Sequence, residues 1–254
     1  MNQFRTSKIT VFWDRLLALL TLEKWKRTFR NRVTLPRLKL FELRGVSLDV
    51  RDVSLRMRDL ISSDRYETSE VMMCDEIIKS TDRVLELGSA IGFIGIYCQK
   101  ILGVSKYFSI EANATTIAIA EKNYCLNKIE PRIFNAAINS RDEVVSLFPS
   151  DDFFTSSITT TGSTNHTTPI AVQGITFKKI LDLPSFECTA LIVDVEGAEI
   201  FLNPDEIPTS VCKIIIELHP EKLGVSEMFI YLMRLCSVGF RVHSFHYHTF
   251  ALTR

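Results

Sequence analysis

"RVLELGSAIGF", residues 83–93, decides the fold. Val84, Leu85 and Leu87 form a short apolar run interrupted only by Glu86, and Gly88, Ala90 and Gly92 follow at every second position. From Phe93 the spacing turns helical, through "FIGIYCQKIL" (93–102). An apolar run that passes through small residues into a helical pattern is a strand–loop–helix unit. Small residues let its backbone turn sharply and come close to a ligand at the helix N-terminus.

Working outward, the alternation repeats. "KYFSIEA" (106–112) is a strand, residues 115–128 a helix and "RIFNAAI" (132–138) a strand, with 143–149 extending the sheet. A Ser/Thr-rich loop (155–169) and a short helix (176–183) lead to "ALIVDV" (190–195). "KIIIEL" (213–218) and "FRVHSF" (240–245) are further strands, with a helix over 226–237 between them. This order predicts an α/β fold, a mostly parallel sheet with helices on both faces. Ligands of such sheets bind at the carboxyl ends of the strands, where the strand order reverses. The residues at those ends are Glu86 to Gly88, Glu111, Asn135, Asp194, and Glu217 to His219.

On the N-terminal side, residues 37–52 alternate around Arg44-Gly45 and predict a hairpin, and 65–80 show helical spacing. "ITVFWDRLLALLTL" (9–22) is broken by Asp14 and Arg15. It is shorter than the roughly 20 residues a membrane span needs, and no small-residue cleavage site follows it. It predicts an amphipathic helix that docks on the body, on a partner or on a membrane surface. Residues 1–63 are thus expected to be an appendage and 64–254 the main domain.

At 254 residues, 46% hydrophobic and 24% charged, the chain is neither disordered nor dependent on disulfides. Its six cysteines stand singly, without CxxC or zinc spacing, and are expected to be reduced core residues of a cytoplasmic protein. The formal net charge of zero hides an asymmetry. Residues 1–60 hold 14 Lys/Arg against 6 Asp/Glu, a net of +8, so the remainder carries −8. Such an arm attracts anionic surfaces, but it lacks the interleaved aromatics of single-strand binders, so nucleic acid is disfavoured.

Glu111 follows Gly88 by 23 residues, where a carboxylate can accept both hydroxyls of a ribose. Glu86 just before the glycines would repel a pyrophosphate, which disfavours a nicotinamide dinucleotide. A ligand with a cationic amino or sulfonium group, such as S-adenosyl-L-methionine, suits it better. Asn135 is placed to meet the adenine.

Together "YETSE" (66–70), "VLELGSAIGF" (84–93), "LNK" (126–128), "NAAI" (135–138), "DVEGAE" (194–199) and "IIIELHP" (214–220) resemble the FkbM-type methyltransferases, in order and with suitable spacing. The resemblance implies a Rossmann-like seven-strand methyltransferase sheet. It also implies methyl transfer from S-adenosylmethionine to a hydroxyl of a sugar or other small molecule. Under it, Glu86, Gly88, Ala90, Gly92 and Glu111 hold the cofactor. Tyr66 and Glu67 meet the substrate, and Asp194, Glu196, Glu217 and His219 border the reacting atoms. One position departs, because many relatives carry a lysine two residues before the aspartate of DVEG, and Ile192 stands there.

In this reading His219 is the general base, oriented by a carboxylate. A divalent cation held by Asp194, Glu217 and His219 is a second arrangement. The metal-free form is favoured because no Asp-Asp or Asp-Asn pair completes a magnesium shell. His243, His246 and His248 are expected at the surface or a sheet edge. The rival readings are an amine acceptor and a non-catalytic binding module of the same fold, tethered by the basic arm.

Overall fold

The computed structural model describes residues 35–148 and 168–254. The helix expected over 9–22 and nearly all of the Ser/Thr-rich loop lie outside those residues. β1 (Leu40–Leu43) and β2 (Val46–Asp49) form the antiparallel hairpin, turning at Arg44 and Gly45, both at positive φ. α1 (Leu55–Ser62) starts where the Ser54 side chain accepts the Met57 N–H, and α2 (Thr68–Ile77) follows. Then come β3 (Arg83–Leu87), α3 (Phe93–Lys100), β4 (Lys106–Glu111), α4 (Ala114–Leu126) and β5 (Ile133–Asn135). β6 (Ala137–Ile138), β7 (Val144–Leu147), β8 (Ile170–Ile175) and α5 (Phe177–Leu181) precede β9 (Ala190–Val193). β10 (Lys213–Glu217), α6 (Pro220–Leu223), α7 (Val225–Ser237), β11 (Arg241–His246) and β12 (Thr249–Thr253) complete the chain.

The main sheet has seven strands in the order β11-β12-β10-β9-β3-β4-β5, a Rossmann-like arrangement in which β12 alone runs against the rest. Its central strands are apolar on both faces, and alternate residues supply two separate cores. Val84, Ala190, Ile192 and Ile215 face a core shared with the hairpin, α1, α2, α3 and α4. Leu85, Leu87, Leu191, Val193, Ile214 and Ile216 face a second core with α5 and α7. Residues from 35–63 therefore bury side chains such as Leu48, Met57 and Ile61 in the same core as β3.

Two strands differ from the sequence reading. Residues 143–149 do not extend the main sheet: β7 pairs with β8, which also pairs with β6, in a separate three-stranded sheet. The expected strand 132–138 breaks at Ala136, whose N–H goes to the Glu111 carbonyl, and the chain then leaves the main sheet. β12 was not anticipated. It inserts between β10 and β11 after a tight turn at Tyr247, so the last predicted strand is an edge. Cysteines 74, 98 and 188 are buried, whereas Cys125, Cys212 and Cys236 are exposed, contrary to the expectation of core residues, and all six are free. No helix among the described residues is long and apolar enough to cross a membrane.

Candidate active site

The strand order reverses between β3 and β9, and the site lies across the carboxyl ends of those two strands. The loop after β3 and the end of β9 touch backbone to backbone there. Asp194 donates its N–H to the Leu87 carbonyl, and a Cβ on Gly88 would lie 1.6 Å from the Asp194 carbonyl oxygen. Gly88 has φ +88°, so glycine is required on both counts.

A cavity of about 730 Å³ opens beside this loop, lined by Leu87, Gly88 and Ala90 but not by Glu86 or Gly92. Glu111, at the end of β4, forms its acidic wall. One carboxylate oxygen accepts the Ala90 N–H at 2.9 Å and the other the Asn113 N–H at 2.8 Å. Burial pushes this carboxyl up to about 7 against those two hydrogen bonds. Ile110, Ala136, Ile138 and Leu147 supply an apolar wall.

Three residues placed in this pocket by sequence stand elsewhere, the first being Gly92, which caps the start of α3. Glu86 shares a sheet face with Val84, because alternate strand residues point the same way. Its carboxyl is 3% exposed and is pushed up to about 8 by burial. Asn135 is exposed and donates to the carbonyls of Glu111 and Ala112, both at 2.9 Å. It pins the chain after β4, and the following alanines, 136 and 137, reach the cavity instead.

A second cavity of about 1130 Å³ adjoins the first, and Glu67, Asp194 and Glu196 line both. Tyr66, Glu70, Glu217 and His246 line the second. Three residues along the two cavities, Glu67 (φ 50°), Ala90 (φ 43°) and Glu196 (φ 52°), hold left-handed backbone without being glycine. Strain of this kind persists where the surrounding structure imposes it, commonly at working sites.

His219 is 7% exposed. Its Nδ1 lies 2.6 Å from Glu199 Oε1, and its Nε2 lies 3.7 Å from Asp194 Oδ1 and 3.4 Å from Glu196 Oε2. Burial alone would lower its pKa, but the Glu199 hydrogen bond and the charges of Asp194 and Glu196 hold it up to about 9. An imidazole held protonated at neutral pH is not free to accept a proton, which weighs against the base role expected from sequence.

The acids are pushed the other way. Burial and then the charges of Glu217 and Glu196 raise Asp194 well above the carboxylate range. Burial and then Glu70 raise Glu217 to about 8. Lys222 on α6 reaches Glu196, its Nζ donating to both the carboxylate and the carbonyl. Ile192 is buried in β9, so a cation near these acids comes from α6. Glu199, Lys222, Glu70 and His246 were all missed by the sequence reading. Glu199 and Glu70 carried a signal, as the last acids of DVEGAE and YETSE.

These shifts have a measurable consequence. Glu111, Glu86, Glu217 and His219 titrate in the folded chain at about 7, 8, 8 and 9. Unfolded, the same groups fall near their ordinary values of about 4.3 for Glu and 6.5 for His. The folded chain therefore holds protons that the unfolded chain releases, so stability is greatest at low pH and is lost as pH rises through those values. The ligand-free protein should melt on the order of 10 °C lower at about pH 9 than at about pH 6. A flat or rising melting temperature across that window would contradict the assignment.

The sequence matches no protein-family model and no curated protein. Among solved structures, the chain is similar to a ribosomal protein L11 methylase from Lactobacillus delbrueckii subsp. bulgaricus, at 11% identity over 72% of this chain and 76% of that one (TM-score 0.45). It is similar to a methyltransferase FkbM from Methylobacillus flagellatus KT, at 12% identity over 69% and 44% (TM-score 0.45). A third is a Pyrococcus abyssi tRNA (uracil-54, C5)-methyltransferase in complex with S-adenosyl-L-homocysteine, at 12% identity over 85% and 44% (TM-score 0.46). The chain spans less than half the length of the latter two. Likeness at this level is one of overall chain path alone.

Proposed function

We propose that this chain is an FkbM-type methyltransferase that moves a methyl group from S-adenosylmethionine to a hydroxyl of a small molecule or sugar. One observation carries the reading. Asp194 and Glu196, at the end of β9, form the wall shared by two cavities, and Glu111 and the glycine loop bound one of them.

The first cavity suits the donor. The two Glu111 oxygens, each already holding a backbone N–H, keep lone pairs for ribose hydroxyls. The apolar wall from Ile110 to Leu147 suits a flat purine. When bound, the cofactor supplies an electrophilic methyl on a sulfonium. The chain's own residues bind the acceptor, aim its oxygen and remove its proton. Asp194 is the group we assign to the proton, since its carboxylate stands at the end of β9 and borders both cavities. S-adenosylmethionine, held by the glycine loop and Glu111, would supply the methyl carbon to that oxygen and leave as S-adenosylhomocysteine.

Calorimetry with S-adenosylhomocysteine tests the donor. Saturable binding in the micromolar range is expected, and no binding by well-folded protein would end the reading. Glu111→Ala should weaken that binding by roughly 10- to 100-fold, the worth of hydrogen bonds to a charged group. An unchanged affinity would remove Glu111 from the ribose.

A further inference from the structure

We propose that Asp194, Glu217 and His219 hold a divalent cation of the Mn²⁺ type at the boundary of the two cavities. Each residue offers one donor atom, and these atoms lie within 4.8 Å of one another. The backbone produces the cluster. β9 and β10 are parallel with Val193 opposite Ile216, so Asp194 and Glu217 emerge side by side, with His219 two residues beyond.

The imidazole is set as a metal ligand. Glu199, fully buried, takes Nδ1 at 2.6 Å and is itself held by the Gly197 N–H at 3.1 Å. A carboxylate behind one ring nitrogen fixes the tautomer, and an ion at the other nitrogen would displace the proton that Asp194 and Glu196 hold there in the metal-free chain. Nε2 faces Asp194 Oδ1 at 3.7 Å and Glu196 Oε2 at 3.4 Å, too far for good hydrogen bonds. The Nε2–Oδ1 separation falls between those of neighbouring and opposite donors around an ion, about 3 Å and 4 Å for bonds near 2.1 Å.

An independent observation points to a missing partner. Asp194 Oδ1 is buried and accepts no hydrogen bond. A buried carboxylate oxygen without a partner is costly and rare. Among the described residues, Lys222 pairs with Glu196, and His219 Nε2 stands 3.7 Å from this oxygen, beyond hydrogen-bond reach. The Thr249 hydroxyl goes to Glu70. One imidazole with two carboxylates is a mixed set that suits Mn²⁺ better than the all-oxygen shell of Ca²⁺.

The metal-free expectation rested on the lack of a second acidic pair in sequence. The folded cluster holds the same three candidate ligands, and the second cavity leaves room for water and the acceptor oxygen to complete the shell. An ion there would bind the acceptor oxygen and lower its pKa. That role rests on the methyl-transfer reading, whereas the binding of the ion does not.

The test is titration of the chelator-treated full chain with Mn²⁺, followed by the paramagnetic resonance of the free ion. One tight site per chain is expected. Glu217→Gln and His219→Ala should each weaken it by roughly tenfold or more, with S-adenosylhomocysteine affinity kept as the check on folding. No saturable Mn²⁺ binding overturns the proposal, as does equal affinity in a folded Glu217→Gln variant. Stabilisation by putrescine without any by Mn²⁺ also overturns it and assigns the acids to a cationic acceptor. Mn²⁺ binding lost in the variants, in a chain that never binds S-adenosylhomocysteine, would leave the metal site standing and sink the donor.

Discussion

Gly88→Ala should remove both the cofactor loop and most of the fold's stability. The new Cβ would sit 1.6 Å from the Asp194 carbonyl oxygen and 2.7 Å from its carbonyl carbon. Neither atom belongs to a flexible side chain. Asp194 is tied to β3 through its N–H on the Leu87 carbonyl, and Gly88 is tied to β4 through its own N–H on the Ile110 carbonyl. Relief therefore requires β9 to move away from β3 in the middle of the sheet. The expected loss is roughly 3–5 kcal/mol, above the typical single substitution. Gly103→Ala isolates the conformational part, because Gly103 also has positive φ (+74°) but its Cβ would meet only Ser80 Cβ at 3.5 Å. That change should cost about 1–2 kcal/mol, the left-handed penalty alone. Chemical denaturation of both variants would decide the matter. Equal losses would mean that the loop relaxes without disturbing β9.

Gly88 also shows why much of this molecule is legible in its sequence. Strands buried on both faces are apolar throughout, so β3, β4, β9 and β10 stand out as short runs, and small residues mark where the first of them must turn. Other features depend on contacts remote in sequence. β12 is a five-residue strand at the end of the chain, and it earns its place only by pairing with β10 and β11. β7 and β8 pair with each other, so their apolar residues mark strands without marking which sheet. Asn135 sits at the expected strand end, but the break at Ala136 turns its amide to the Glu111 and Ala112 carbonyls. Lys222 lies 26 residues beyond the Glu196 it neutralises, and nothing in its local pattern announces that pairing. The charge of His219 follows from three acids brought around it by folding.

Asp194→Asn should lower kcat by roughly 10²–10⁴-fold while leaving S-adenosylhomocysteine affinity within a few-fold, the pattern of a lost proton acceptor rather than a lost binding contact. The substitution keeps the side chain's size and removes its charge. It would strip the shared wall of the two cavities of the group assigned to the acceptor's proton. The same change should stabilise the ligand-free protein at high pH. Asp194 is raised by burial and by the charges of Glu217 and Glu196, so ionising it costs folding energy. An amide at that position releases the cost, and the melting temperature at alkaline pH should exceed that of the wild type. The two readouts separate the roles. Activity, measured with any acceptor that the wild type methylates, reports the chemistry, and melting reports the charge. Unchanged kcat would take Asp194 out of the reaction and pass the proton to another acid of the crevice. A melting temperature that falls at high pH would mean that Asp194 serves as a fixed anion for His219, whose Nε2 lies 3.7 Å away.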